Sequence, residues 1–463
     1  MTTIEVRNPA TGVRIGAVPS ISAADIAETI AAARKGSRDM AAMPAYQRAS
    51  LLARIADGIA AQAEDLARLL ATENGKPITQ TREEITASIR IFRGFGEEAK
   101  RVFGRQIPLD AVPGLERHLA VTLREPLGII AAIVPFNYPI ELYAHKAAAA
   151  LAAGNAVIVK PPEKCPLTLL EVAEIVQAAG LPAGAHSMVS GGPEVAKALV
   201  SSPDIQLVSL TGSTAAGYEV AALAAKTLTK VHLELGGNDP MIVCADADLG
   251  KAAEAIVLGR LARGNGQICC AVKRIFVEDA VYDELAERLV ALAAQLVVGD
   301  PLDERTDVGP LITEAAAKNV ESAIAQAVAD GATVASGGGR DGAFVQPTVL
   351  TGVRPDAPVI STEIFGPVAP LVRVGTAEEA VEYANASEFG LHAAVFTQDI
   401  TRAFALAKRL EAGGVVINGS TALRSENLPF GGVKHTGGTR EGLHNTLLDM
   451  TREKTIIVME ALA

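Results

Sequence analysis

Residues 129–160 read IIAAIVPFNYPIELYAHKAAAALAAGNAVIVK, a β-branched run, a proline-bounded turn, an Ala/Leu-rich stretch and a second β-branched run. Similar short runs recur as HSMVS (186–190), IQLVSL (205–210) and KVHLEL (230–235), with helical patterns between most of them. That alternation predicts βαβ units and a parallel sheet buried on both faces. Leu167–Ala179 is the clearest intervening helix, because Pro166 precedes it, Gly180 follows and Pro182 lies beyond.

Outward from this core, a second alternating region covers 240–435. Its candidate strands are RIFV (274–277), APLVRV (369–374), AAVFT (393–397) and GVVIN (414–418), with helices over Val281–Leu296 and Ala377–Ala386. Two α/β lobes in one chain imply a cleft. On the N-terminal side, residues 21–73 carry helical apolar spacing through Ile26, Ile30, Leu51, Leu52, Ile55 and Ile59, with Asn74-Gly75 as a stop. RHLAVTLRE (117–125) and TREKTIIVME (451–460) fit neither lobe. Their alternation suits strands that pair with each other or across a subunit interface.

A length of 463 residues suits about three domains at roughly 150 residues each. A formal charge of −11 argues against a nucleic-acid surface, which needs concentrated positive charge, and against an anionic membrane. Four cysteines, Cys165, Cys244, Cys269 and Cys270, are too few for a disulfide framework, so a reducing, cytoplasmic setting is expected. Neither an export signal nor an apolar run of about 20 residues is visible. Aromatics at 4% and no Trp leave the interior to small aliphatic side chains.

Several segments carry residues suited to chemistry. Cys269 sits in GNGQICCAVKR, where glycines let backbone approach a substrate and leave the Cys amide free for an oxyanion; a buried pair of small apolar cysteines is the plainer alternative. Glu234 ends an apolar strand directly before Gly236-Gly237, where desolvation suits a general base, or else an ion-paired or capping carboxylate. Asn137 has an amide that suits an oxyanion, or else a turn before Pro139. In IQLVSLTGSTAAG a strand leads through Gly212 to Ser213 at a helix start, where backbone amides favour phosphate, although the spacing is not GxGxxG. Lys160 and Glu163 follow a core strand at the edge where open α/β sheets bind nucleotides, and the alternative is two solvated charges.

The strings PFNYP, VKPPE, TGSTAAG, LELGG, GQICC, EIFGPV and PFGGVKHTG follow one another in an order and spacing that resembles the aldehyde dehydrogenase superfamily. The resemblance covers nearly the whole chain and points toward the branch acting on lactaldehyde, succinate semialdehyde, sulfoacetaldehyde and phosphonoacetaldehyde. It implies a Rossmann-like NAD-binding domain (1–106 and 127–236), a second α/β catalytic domain (237–440) and a small β oligomerisation element (107–126 and 445–463). It also implies a homodimer or homotetramer. By motif, Cys269 is the implied nucleophile, Glu234 the base for the deacylating water, and Asn137 with the Cys269 amide the oxyanion hole. Lys160 and Glu163 would hold the adenosine ribose, Gly212 and Ser213 the pyrophosphate, and Glu363 and Phe365 the nicotinamide ribose and ring. Pro135 and Gly236 would also line the cofactor site.

The resemblance gives single residues further meaning. Relatives that acylate coenzyme A typically carry Asn at the position of Glu234, so Glu234 favours hydrolysis, with coenzyme A acylation or a catalytically idle scaffold as the alternatives. Glu163 would repel a 2′-phosphate, which favours NAD while leaving NADP possible. The substrate is expected to be a small aldehyde, anionic if Arg424 acts as a clamp rather than pairing with Glu426. Ile268 stands where relatives acting on glyceraldehyde 3-phosphate carry Arg, and His145 is a candidate for the same tunnel or a structural histidine. Gly264 and Thr436 depart from the usual Asn and Ser. No His or Cys spacing calls for a metal.

Overall fold

The run Ile129–Ile133 forms the middle strand of a five-stranded, wholly parallel sheet in a computed structural model that describes residues 3–462. The strand order is His186–Met188, Ala156–Lys160, Ile129–Ile133, Leu207–Thr211 and Lys230–Glu234. Alternate residues face opposite layers. Ile130, Ala132, Val157 and Val159 pack under the helices Ala45–Ala61, Ile78–Glu98 and Pro139–Ala152. Ile129, Ala131, Ala156 and Ile158 pack against Ile26, Ile30, Val195 and Leu199 on the other face. The alanines of Pro139–Ala152 are buried from Ala147 to Ala152, which lets that helix lie close to the sheet.

A seven-stranded sheet forms the second lobe. Its order is Thr333–Ser336, Thr348–Thr351, Val368–Val374, Val272–Glu278, Asp239–Val243, His392–Phe396 and Gly414–Ile417. Only the edge strand Thr333–Ser336 runs antiparallel to its neighbour. The expected strands RIFV, APLVRV, AAVFT and GVVIN lie in it, and the expected helices appear as Leu167–Ala178, Asp279–Ala293 and Ala377–Asn385.

Other elements differ from the sequence reading. Asp239–Val243, central in the second sheet, has only three apolar residues after an Asp-Pro pair and so resembles a turn. The opening section is a hairpin, Thr3–Arg7 with Arg14–Pro19, then separate helices Ala23–Ala42, Ala45–Ala61 and Ala63–Asn74. Gly75 ends the third in the left-handed conformation, φ +90°, and a further helix follows over Ile78–Glu98. Thr451–Val458 pairs antiparallel with Leu119–Pro126 along its whole length, and Gln106–Ile107 lies on the far side. Ile457 and Leu123 on that sheet are about half exposed. Among the described residues, no helix is long and apolar enough to cross a membrane.

One buried carboxylate ties the opening helices to the first sheet's cover. Helix Leu167–Ala178 begins at Pro166, which offers no side-chain cap. Glu73 supplies it instead, accepting the Leu167 and Thr168 amides at 2.8 and 2.7 Å. Burial pushes the Glu73 carboxyl up to about 7. Replacing Glu73 by Ala therefore leaves two orphaned amides and is expected to lower stability by about 2–4 kcal/mol in chemical denaturation. Because the folded-state value is raised, the wild-type contribution is fullest in acid and declines as pH rises through about 7.

Candidate active site

Cys269 is delivered by a distorted helix end. The helix Leu249–Ile256 widens into a π turn over Val257–Ala262, and Gly264, Asn265 and Gly266 then take φ values of +58°, +55° and +72°. Asn265 is held in this unfavourable region by its own side chain, which donates to the Gly75 and Pro310 carbonyls and accepts the Gly309 amide. A Cβ at Gly266 would lie 2.4 Å from the Gly366 carbonyl carbon, so only glycine lets the two loops meet. A Cβ at Gly264 would likewise lie 2.9 Å from the Ile268 side chain.

Beyond this turn a cavity is lined by Asn137, Tyr138, Ile268, Cys269, Arg263 and Arg424, among others. The Asn137 side-chain amide donates to the Gln267 carbonyl at 3.0 Å, which leaves its second N–H available. Its backbone carbonyl accepts from Lys76 at 2.8 Å. Lys76 in turn is buried in an ion pair with Glu84 and lies 3.9 Å from the centre of the Tyr138 ring. Glu84 accepts the Ile140 amide at 2.8 Å and so anchors the start of helix Pro139–Ala152. Among the described residues, no acceptor meets the Cys269 amide.

Glu234 ends its strand buried, 4% exposed, and accepts from the Thr439 hydroxyl at 3.0 Å. Burial, then the charge of Glu441, pushes its carboxyl well above the usual range, and a thiolate at Cys269 raises it further. The Cys270 thiol and burial push the Cys269 thiol up, while Lys273 and Arg424 oppose them. Behind Glu234 lies a second set of charges. Lys146 faces Glu441 at 3.6 Å and the Ser209 hydroxyl at 3.2 Å. Although burial raises Glu441, the cations Arg424 and Lys146 hold it far below the ordinary value.

A groove at the carboxyl ends of the first sheet carries the residues expected for a dinucleotide. Ile133, Leu210, Val220 and Leu223 make an apolar slot flanked by Lys160 and Glu163. The Lys160 ammonium meets only the Pro161 carbonyl at 3.3 Å and Glu163 at 4.0 Å among the described residues, so its donors remain available for hydroxyls. Ser213 caps helix Thr214–Ala224 and is exposed. Gly212 contributes differently from expectation, because its amide is committed to the Glu234 carbonyl at 3.0 Å. Pro135 is half-buried beside Phe136, whose ring meets Phe365 edge-on at 6.0 Å. A Cβ at Gly236 would lie 2.5 Å from the Glu363 carboxylate, so glycine there admits Glu363. Buried Arg260 donates to the Ile364 and Val368 carbonyls and fixes the loop that carries Phe365. These groups fit an adenine, a ribose, a phosphate and a second ribose in succession.

The profile of the aldehyde dehydrogenase family matches residues 1–456. A 3-sulfolactaldehyde dehydrogenase of Priestia megaterium is 38% identical over 435 residues, 94% of this chain and 90% of that protein. A succinate-semialdehyde dehydrogenase structure from Burkholderia pseudomallei is similar at TM-score 0.96 and 42% identity, over 99% of this chain and 95% of that one. The chain belongs to the aldehyde dehydrogenase family. Glyceraldehyde-3-phosphate dehydrogenase from Methanocaldococcus jannaschii, complexed with NADP, is similar at TM-score 0.95 and 39% identity, over 98% and 99%.

For an aldehyde dehydrogenase of this kind, two expected substrate residues need correction. Arg424 does reach the cavity wall, but it is ion-paired with both Glu441 and Glu141, the latter at 3.3 Å, and its guanidinium lies 4.3 Å from the Phe430 ring. Glu426 pairs instead with Arg90 at 2.6 Å. A cation already met by two carboxylates is a poor clamp for a third anion. His145 is buried behind the wall, edge-on to Phe95, and burial lowers it to about 3, so it stays neutral. Ile268 remains an apolar part of the wall. Thr436 keeps what a Ser hydroxyl offers, donating to the Gly236 carbonyl at 2.7 Å. Lys76, Glu84, Lys146, Glu441, Arg263 and Lys273 escaped the sequence reading: Lys146 with Glu441 and Lys273 with Glu363 pair across long stretches of chain, Lys76 and Glu84 pair eight residues apart across a turn, and Arg263 takes its place only from the cavity wall. Replacing Arg424 by Ala leaves Glu141 without its cation and Glu441 with Lys146 alone, so chemical denaturation is expected to show a loss of about 3–5 kcal/mol. Any rise in KM should then fall equally on neutral and anionic aldehydes.

Proposed function

We propose that the protein oxidises a small anionic aldehyde to its carboxylic acid, with Cys269 as nucleophile and Glu234 as base. The observation that carries this reading is a half-buried thiol whose loop abuts the turn after a buried carboxylate: a Cβ at Gly237, three residues beyond Glu234, would lie 2.6 Å from the Cys269 carbonyl oxygen. The Cys269 sulfur adds to the aldehyde carbon, and the oxyanion takes the Asn137 side-chain N–H and the Cys269 amide. A bound nicotinamide dinucleotide supplies the hydride acceptor when the oxyanion collapses. Glu234 then removes a proton from water, which attacks the thioester, releases the acid and restores the thiol. Lys160 and Glu163 would hold the adenosine ribose, Ser213 and the first helical amides the pyrophosphate, and Glu363 with Phe365 the nicotinamide end.

Glu163 sets the coenzyme preference in this reading. A carboxylate beside the ribose accepts from a free 2′-hydroxyl and repels a 2′-phosphate, so NAD is preferred even though the Methanocaldococcus relative is complexed with NADP. The three relatives are named for aldehydes that bear a sulfonate, a carboxylate or a phosphate. Arg263 is the matching cation. It lines both the catalytic cavity and the outer groove that opens between Gln80 and Arg90, and no carboxylate among the described residues is within ion-pair distance of it. Apolar Ile268 argues against a sugar phosphate, leaving short carboxylated or sulfonated aldehydes. The exposed apolar positions of the three-stranded sheet suit pairing with a second copy, as a dimer or tetramer, with domains over 1–106 and 127–236, 237–440, and 107–126 and 445–463.

Kinetics of the wild type and of single variants test this reading. A panel of aldehydes assayed with NAD and NADP should give reduced cofactor, faster with NAD, and added coenzyme A should not accelerate it. Cys269→Ala should abolish the reaction and Cys270→Ala retain it. Glu234→Gln should keep a burst of reduced cofactor while turnover falls at least about 100-fold. Wild-type turnover should rise with pH on a limb above the ordinary carboxylate range, and the variant should lack that limb. Separately, Arg263→Ala should raise KM about 10- to 100-fold for carboxylated aldehydes and leave neutral ones nearly unchanged. An equal effect on both would defeat the anion assignment.

A further inference from the structure

Lys273 is a buried cation that the chemistry above leaves unused. It stands four residues beyond the nucleophile, on strand Val272–Glu278, with its side chain 1% exposed. Its ammonium donates to the Cys269 carbonyl and, at 2.8 Å, to the Gly237 carbonyl. It also lies 3.1 Å from the Glu363 carboxylate and 5.9 Å from the centre of the Phe365 ring. The three anchors belong to three segments: the nucleophile loop, the turn after Glu234 and the loop that carries Glu363. Two of the ammonium's three protons are thus committed to carbonyls, and the remaining one is left to the ion pair with Glu363. Whatever draws Glu363 away leaves one N–H free and more uncompensated charge beside the nucleophile.

We propose that Lys273 is a positioning residue that couples the cofactor seat to the nucleophile. Its ammonium is shared between the Cys269 carbonyl and Glu363, and capture of Glu363 by ribose hydroxyls turns that charge toward the Cys269 sulfur. The proposal rests on the reading that Glu363 holds the nicotinamide ribose. The groups that face the thiol support it. Cys270 on the same loop disfavours a thiolate, and the carboxylates of Glu234 and Asp239, from two neighbouring strands, are themselves raised by its charge. Arg424 is a cation on that side, but Glu141 and Glu441 already hold it. Lys273 is thus the cation whose share can change when the cofactor binds. The thiolate forms when the hydride acceptor is present and stays suppressed otherwise.

The test is the rate of Cys269 alkylation by iodoacetamide, located by peptide mass spectrometry and measured across pH with and without NAD. NAD affinity is measured by calorimetry on the same proteins. In the wild type, NAD is expected to move the alkylation midpoint down by about one pH unit, a tenfold faster reaction at a fixed lower pH. Lys273→Met should raise the midpoint and abolish its response to NAD, and Lys273→Arg should restore both in part. Glu363→Gln should show the lowered midpoint without NAD and bind NAD more weakly. A Lys273→Met protein that binds NAD and keeps the wild-type response overturns the proposal while the Glu363 reading stands. Undiminished NAD affinity in Glu363→Gln defeats that reading and the proposal with it. If Lys273→Met fails to fold, Glu363→Gln decides: weaker NAD binding with an unchanged midpoint overturns the coupling.

Discussion

Taking a cation out of water costs several kcal/mol unless carbonyls or a carboxylate meet it, and around the cleft several largely buried cations are met by carboxylates. Lys76 meets Glu84, Lys146 meets Glu441, Lys273 meets Glu363, and Arg424 meets Glu141 and Glu441. Each pair fixes a group of the proposed chemistry. Lys76 holds the Asn137 carbonyl, Lys273 holds the Cys269 carbonyl, and the Lys146–Glu441–Arg424 set forms the wall behind Glu234. Arg424 and Glu441, from the C-terminal side of the second lobe, reach back to Glu141 and Lys146 on a first-lobe helix. The Lys146–Glu441 and Arg424–Glu141 pairs cross between the lobes and, with the Asn137–Gln267 and Asn265–Gly75 hydrogen bonds and the edge-on Phe136–Phe365 contact, hold them together.

The same cluster separates two carboxylates by function. Glu441 is met by cations and stays ionised; Glu234, raised by burial and by the charge of Glu441, with the Thr439 hydroxyl as its donor, holds its proton more tightly. Neighbouring acids driven in opposite directions are what a base that must release and recapture a proton requires. Neutral His145 adds no charge to this balance and serves as packing against Phe95.

How much of this was legible in the sequence follows from distance along the chain. Ile129–Ile133 and its parallel neighbours announced themselves because buried parallel strands are continuous β-branched runs. Ser213 and Gly75 were legible because capping is local. Asp239–Val243 was not, because only its place between Val272–Glu278 and His392–Phe396 makes so short a run a central strand. For the site, Cys269, Glu234 and Asn137 stand in distinctive strings, whereas Lys76, Lys146, Lys273 and Arg263 gain their meaning from partners or cavity walls supplied by the fold. Arg424 was misjudged for the converse reason. Its neighbour in sequence, Glu426, belongs to Arg90, and its true partners lie at 141 and 441.

Where a substrate anion can sit is constrained by that arrangement. Near the sulfur, the wall offers Ile268 and the already paired Arg424, together with Glu141, so a charged group placed there meets either an apolar surface or a compensated cation. A second anion close to a thiolate and Glu234 would also oppose ionisation of both. Arg263 lies farther out, shared by the cavity and the outer groove, with its guanidinium held to the Ala422 carbonyl at 3.0 Å. In the proposed chemistry a substrate therefore needs enough chain to put its aldehyde at the sulfur while its anion remains at Arg263. That selects on the separation of the two groups, and the identity of the anion counts for less.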